Sequence, residues 1–394
     1  MNNYKKKPFI PAIQKTSTLV LLSALSLICF TITVNFKIIE KSSSFDQKVV
    51  AATLMSDAMQ LLKNFRMEEG VFVDIENDPN ETGMVGSPYS LITTDEGDLD
   101  SKLTTLDPNF SAVVVDLMSQ LNLSANDTVA VLMTGSMPGA NLAVLSACQA
   151  MGVIPVTISS LGASQWGANQ IDFTWLDMES ILVKNGLYSS KSVAASIGGR
   201  NDMGRLLSPS GRKIITDNIS FHNIPLIKNA RLAENIKTRM SLYSNFLPIN
   251  RYKAVINVGG GVASLGTSFN SKLLPPGIVK RSNLANINRP GGIEGVFSKF
   301  VNLNVPGLHI LNIRPLTEQF KIPFAPIPNP KIGTGSLYAI ERYSLFIAAL
   351  CLLVVSGSVL IVGIQSKRNI KQHLMQHEPD LSLIHISEPT RRYS

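Results

Sequence analysis

The sequence predicts an α/β domain, with a mostly parallel sheet and flanking helices, held between two transmembrane helices. Three observations predict it. Uncharged apolar runs long enough to cross a ~30 Å hydrocarbon layer stand near both ends of the chain. Between them, short apolar strand-like runs alternate with stretches of helical periodicity. Residues 127–158 read strand, turn, helix, strand, which is the length of a right-handed parallel crossover.

Charged residues make up 16% of the chain, below the ~25% usual for soluble proteins, so part of it is expected in lipid. The first apolar run, residues 16–36, follows Lys5, Lys6, Lys7 and Lys15. The second, residues 343–365, precedes Lys367, Arg368 and Lys371. The positive-inside rule puts both basic flanks, residues 1–15 and 366–380, in the cytoplasm and Lys37 to Arg342 outside it. The first run is longer than a signal-peptide core and has no small-x-small site at residues 35–40, so it reads as a retained anchor. Cys29 and Cys351 lie in the apolar runs, which leaves Cys148 alone and excludes a disulfide framework in the soluble part.

Residues 381–391, LSLIHISEPTR, resemble the in-frame translation of a transposon adapter used for sequencing libraries. Residues 381–394 are therefore expected to be non-native, with the gene cut at a contig end, and His385 and Glu388 receive no functional weight.

After the first anchor, Val49, Ala52, Met55, Met59 and Leu62 recur at helical spacing and predict a helix over residues 45–67. Residues 68–107 are acidic and turn-rich and read as loops with short strands, completing an acidic segment over 37–108. The α/β body is expected over residues 109–314. Its predicted helices cover residues 110–121, 140–151, 175–185, 191–195, 203–207 and 229–244. Strands are expected at 127–133, 153–158, 225–227, 252–258 and 308–313. Residues 315–342 hold a proline-rich stretch that reads as a linker to the second anchor.

Charge is uneven. Lys37 to Asp127 carries 6 basic against 16 acidic residues, and Thr128 to Arg342 carries 21 against 9. Attraction between the two segments explains this as well as a basic surface for a polyanion or anionic head groups does.

Two loops carry the candidate site. Thr134-Gly135-Ser136-Met137-Pro138-Gly139-Ala140-Asn141 joins a strand to a helix, where backbone N–H groups and a hydroxyl can hold an anion. It lacks the P-loop lysine, and a capped turn with Ser136 as helix cap explains it equally well. The loop from Ser159 to Asn169, with Ser159, Ser160, Ser164, Trp166 and Asn169, follows the neighbouring strand. Both should therefore meet at the carboxyl edge of the sheet, where open α/β sheets bind ligands. A doubly wound, Rossmann-like or sugar-isomerase-like sheet is the expected form. Gly199 and Asp202, and Gly259 with Gly260, join the candidate ligand-binding set from later turns. Ser136 is the candidate nucleophile, with Asp172 or Asp177 as its candidate partner. His222 and His309 are the soluble part's two histidines and stand in unrelated contexts, so no metal site and no Ser-His-Asp triad is expected. No cofactor motif appears, and nothing points to nucleic acid.

The run Thr93 to Leu99 with Lys102, the turn TGSMPGAN, the loop SSLGASQWGAN and the following DFTWLDME resemble the bacterial poly-gamma-glutamate system protein family. The resemblance covers most of the soluble part and includes the first anchor. It implies a place in a bacterial cytoplasmic membrane, beside the ligase that makes this capsule-like polymer and the ligase's small membrane partner. It supplies no catalytic residue. Three roles follow as expectations: a non-enzymatic accessory component that binds the polymer, a γ-glutamyl hydrolase or transferase using Ser136, or a small-ligand sensor.

Overall fold

Alternation within single strands sets the architecture. In β1, Thr128–Thr134, the side chains of Val129, Val131 and Met133 join one apolar cluster, while Ala130 and Leu132 join another. A strand that is apolar on both faces needs helices on both faces, so the sheet becomes the middle of three layers. The computed structural model describes residues 9–287 and 292–377. The chain divides into two units, Lys41–Ile340 and the two flanking ends.

Among the described residues, the main sheet of the larger unit has seven strands: β1, β2 (Ile154–Ser160), β3 (Ala194–Ser196), β4 (Leu226–Ile227), β5 (Ala254–Val258), β6 (Gly277–Val279) and β7 (Gly307–Ile310). Their spatial order is β4-β3-β2-β1-β5-β7-β6. All pairings are parallel except that of β6 with β7. The chain winds outward from β1 through β2, β3 and β4, then returns to place β5 on the other side of β1. That reversal leaves a crevice at the carboxyl ends of β1 and β5.

Helices α1 (Phe45–Glu68), α2 (Leu99–Thr105), α3 (Asn109–Gln120), α4 (Pro138–Met151) and α5 (Trp175–Lys184) bury apolar residues in the first cluster. Helices α7 (Leu232–Phe246) and α8 (Val296–Asn302) cover the opposite face. Helix α6 (Pro209–Phe221) fits a third cluster with Ile215 and Ile219. Gly152 ends α4 at φ +67°, a left-handed cap that glycine adopts without strain. The acidic segment docks through α1, whose Lys48 pairs with Asp116 of α3 at 2.7 Å.

Several expectations are corrected. Residues 191–195 do not form a helix: Ala194 to Ser196 pair with β2 as a strand, because small side chains fit a sheet centre and pairing outweighs alanine's helix propensity. Residues 203–207 form turns, with Gly204 at φ +59°. Helix α6 lies just beyond, capped by Ser208, whose Oγ accepts the Gly211 N–H at 3.0 Å. Residues 68–107 hold α2 and a single bridge, Thr93 to Ala163, instead of short strands. The proline-rich stretch is no free linker. It begins in α9 (Ile313–Phe320) and is then stitched to the body. Ala325 N–H donates to Thr104 Oγ1 at 2.8 Å, Asn109 Nδ2 to the Pro330 carbonyl at 2.9 Å, and Tyr338 O–H to Asn109 Oδ1 at 2.7 Å. Backbone groups of a proline-rich strap that lack ladder partners are satisfied here by buried side chains.

In the smaller unit, helices Thr16–Asn35 and Leu345–His377 are each long and apolar enough to cross a membrane, and they pack on each other. The second continues well past residue 365. Strands Lys37–Lys41 and Ala339–Tyr343 form a two-stranded sheet, crossed by the ion pairs Lys37–Glu341 and Glu40–Arg342. Lys5, Lys6, Lys7 and the adapter-like run lie outside the described residues.

Candidate functional site

A cleft of about 920 Å³ opens at the reversal of strand order. The residues that follow five parallel strands line it: Ser136 after β1, Ser164 after β2, Gly199 and Asp202 after β3, Gly259 and Gly260 after β5, and Asn312 with Arg314 after β7. Its far wall is the acidic stretch Thr94 to Asp98 and the start of α2.

The two loops singled out in the sequence do meet. Gly135 N–H donates to the Ser160 carbonyl at 2.8 Å, and Ala168 N–H donates to the Gly135 carbonyl at 2.7 Å. Ser164 N–H donates to Ser136 Oγ at 3.0 Å. Glycine is required where they touch, since a Cβ on Gly135 would stand 2.4 Å from the Leu161 carbonyl oxygen. The acidic wall docks on the same loop, with Thr94 N–H on the Ala163 carbonyl at 2.8 Å.

Lys102 is the centre of this arrangement. It is 4% exposed and lines the cleft. Its Nζ donates to the Ser136 carbonyl, to Ser164 Oγ at 2.9 Å and toward Met137 Sδ at 3.4 Å. Burial lowers its pKa to about 7, with Asp98 pulling it partly back. An amine near neutrality in a cleft can bind an anion, take a proton or attack a carbonyl.

Beneath the cleft lies a buried polar network. Arg239 of α7 and Asp202 are both essentially inaccessible and pair at 3.2 Å. Ser196 Oγ donates to Asp202 Oδ1 at 2.6 Å, and Arg239 donates to Ser196 Oγ at 2.6 Å and Ser160 Oγ at 3.0 Å. The network ties the ends of β2 and β3 to α7. On the other side of β1, His309 and Asn257 share a hydrogen bond of 3.0 Å across β7 and β5. Burial lowers the His309 pKa to about 4.

Of the residues expected at the site, Thr134, Ser136, Ser160, Ser164, Gly199, Asp202, Gly259 and Gly260 line the cleft. The others serve the frame. Ser159 is buried against Ser192 at 2.7 Å, part of a chain that ends on Glu179. Asn141 is buried and donates to the Thr134 carbonyl at 2.9 Å. Asn169 holds the acidic loop through Ser87 and Thr93. Trp166 packs on the first apolar cluster. Asp172 is exposed away from the cleft lining, and Asp177 caps α5 through Thr174 and holds Asn218 and His222. Burial alone would raise the Asp177 pKa, but hydrogen bonds from His222 and Thr174 outweigh it and hold the carboxyl below its ordinary range. Neither aspartate therefore partners Ser136.

Lys102, Arg200, Arg314 and Arg239 were not expected at the site. A signal for Lys102 exists: Leu99, Lys102, Leu103 and Leu106 fall at i, i+3, i+4 and i+7, which places the lysine on a buried helix face. Arg239 joins through tertiary packing alone. Among the described residues no cluster of His, Cys, Asp and Glu could hold a metal ion. No family profile, no curated protein and no solved structure matches this chain.

Proposed function

We propose that the chain is a membrane-anchored accessory component of poly-γ-glutamate synthesis or export, whose α/β body binds a carboxylate-bearing stretch of the polymer in the cleft. The observation that carries the proposal is the cleft itself, whose lining includes Lys102, Arg200, Lys272 and Arg314 and the glycines that follow β5, as well as the acidic wall of Asp95, Glu96 and Asp98. Cationic side chains beside backbone that a ligand can approach closely suit an extended chain of carboxylates. The guanidinium of Arg314 lies over the Phe324 ring at 3.9 Å, which holds it in place for that contact. The likeness of the TGSMPGAN and SSLGASQWGAN loops to the family supports the choice of polymer, and these loops build the cleft.

The reversal of strand order beside β1 supports a doubly wound sheet, Rossmann-like or sugar-isomerase-like. The two apolar helices, with basic residues beyond each, support a bacterial cytoplasmic membrane with both termini in the cytoplasm and the body outside. There the body meets the emerging polymer, and the helices meet the ligase and its small membrane partner.

The test is binding of labelled poly-γ-glutamate oligomers to the full chain in detergent at rising salt. Expected are saturable binding that weakens with salt and a clear loss of affinity in Arg314→Ala and Arg200→Ala. Absence of binding at low salt, or binding indifferent to both substitutions, removes the proposal.

A further inference from the structure

We propose that Ser164 and Lys102 are a nucleophile and general base, and that the cleft transfers the acyl group of an amide or ester within a carboxylate-bearing peptide. The chemistry goes beyond an accessory role, although its choice of substrate rests on that reading of the cleft.

The geometry comes first. Lys102 Nζ stands 2.9 Å from Ser164 Oγ, within reach for direct proton transfer. As an ammonium the lysine donates along this line; as an amine it accepts the hydroxyl proton along the same line. Both residues line the cleft, so a carbonyl carbon can approach the oxygen. Ser136, the serine that the sequence brings forward, differs: its hydroxyl accepts a backbone N–H, and Lys102 meets its carbonyl instead.

Burial supplies the second argument. Lys102 is almost inaccessible, yet among the described residues no carboxylate stands within ion-pairing distance of it. Lys48, buried to a similar degree, has Asp116 at 2.7 Å. At Lys102, Asp98 offsets only part of the desolvation, and a buried ammonium so placed relieves the rest by giving up its proton. The pKa near 7 agrees with this. A lysine built only for structure would be expected to carry a carboxylate as Lys48 does.

The steps balance. Lys102 Nζ takes the Ser164 hydroxyl proton as Oγ bonds to the carbonyl carbon. The bond from that carbon to the leaving nitrogen or oxygen breaks, and the leaving group takes the proton from Lys102. Water then adds to the Ser164 ester and passes a proton to Lys102. The carbon–Oγ bond breaks, the acid departs, and Ser164 recovers its proton. One water is consumed, and an amine acceptor in its place gives transfer.

The full chain in detergent is treated with an alkyl fluorophosphonate between pH 6 and 9, and adducts are mapped by mass spectrometry. Expected is a phosphonyl adduct on Ser164, with fluoride released, at a rate that climbs through about pH 7 and then levels. Lys102→Arg, which keeps the charge and removes the base, should slow labelling ~100-fold or more. Absence of the adduct, an adduct on Ser136 instead, or a rate flat from pH 6 to 8 in the wild-type chain overturns the dyad, whether or not the variant folds. Polymer binding is followed in the same preparations. Binding without an adduct overturns the dyad and leaves the accessory role; an adduct without binding supports the dyad and removes that role.

Discussion

Replacing Asp202 by Asn should destabilise the body by about 3–5 kcal/mol, because it leaves the Arg239 guanidinium buried without a counter-charge. The substitution isolates charge: Asp202 sits at φ +59°, a conformation asparagine tolerates, and the side chains have the same shape. At 3.2 Å and an effective dielectric constant of ~20, the pair attraction is worth about 5 kcal/mol. Ser160 and Ser196 remain as hydrogen-bond partners of Arg239 and offset part of that loss. The double variant Asp202→Asn with Arg239→Met removes the stranded charge and should recover most of the stability. The assay is urea unfolding of the full chain in detergent, followed by indole emission. Both tryptophans, Trp166 and Trp175, lie in the α/β body, so the signal ignores the apolar helices. A single-variant cost under ~1 kcal/mol, or a double variant no more stable than the single, would refute the reasoning.

His309 has a folded-state pKa of about 4, below its ordinary 6.5, so between these values the unfolded chain binds the extra proton and stability rises with pH. Stability should thus fall by about 3 kcal/mol from pH 7 to pH 4, and the difference curve between wild type and His309→Gln should show this loss. Glu179 acts with the opposite sign. Burial raises its pKa to about 7 despite hydrogen bonds from Ser192, so its contribution is intact below pH 4.5 and lost as pH rises through about 7. Glu179→Gln should gain up to about 3 kcal/mol over wild type at pH 8, and equal stability at pH 4.5 and 8 relative to wild type would contradict this. Gly259→Ala should cost about 2–4 kcal/mol, since its Cβ would stand 2.2 Å from Thr134 Oγ1 at φ +85°. Gly260→Ala, whose Cβ meets nothing nearer than Leu311 Cδ2 at 4.0 Å, should leave unfolding unchanged and weaken oligomer binding. Equal unfolding midpoints for the two glycine variants would show that the cleft floor is not built this way.

Elements whose pattern is local are legible in the chain before any folding. Two uncharged apolar runs marked the long helices. The apolar runs at β1 and β2, with Gly152 between them, marked a crossover whose pairing the fold then adopts. Because consecutive parallel strands lie side by side, the loops after β1 and β2 had to meet, and Ser136, Ser160 and Ser164 were legible as cleft residues. The rest depends on contacts between distant parts of the chain. The reversal that puts β5 beside β1 depends on which strands pair across more than a hundred residues, and no local period encodes that. Ala194 and Ala195 read as helix in isolation and, with Ser196, become a strand only between β2 and β4. The proline-rich strap looked unattached because its partners, Thr104 and Asn109, lie over two hundred residues away. Lys102 carries the same lesson: its spacing with Leu99, Leu103 and Leu106 marks a buried helix face but not what the amine meets there. Only the packing of α2 against the loops of β1 and β2 takes it out of water and sets it against Ser164, with no carboxylate in ion-pairing contact among the described residues.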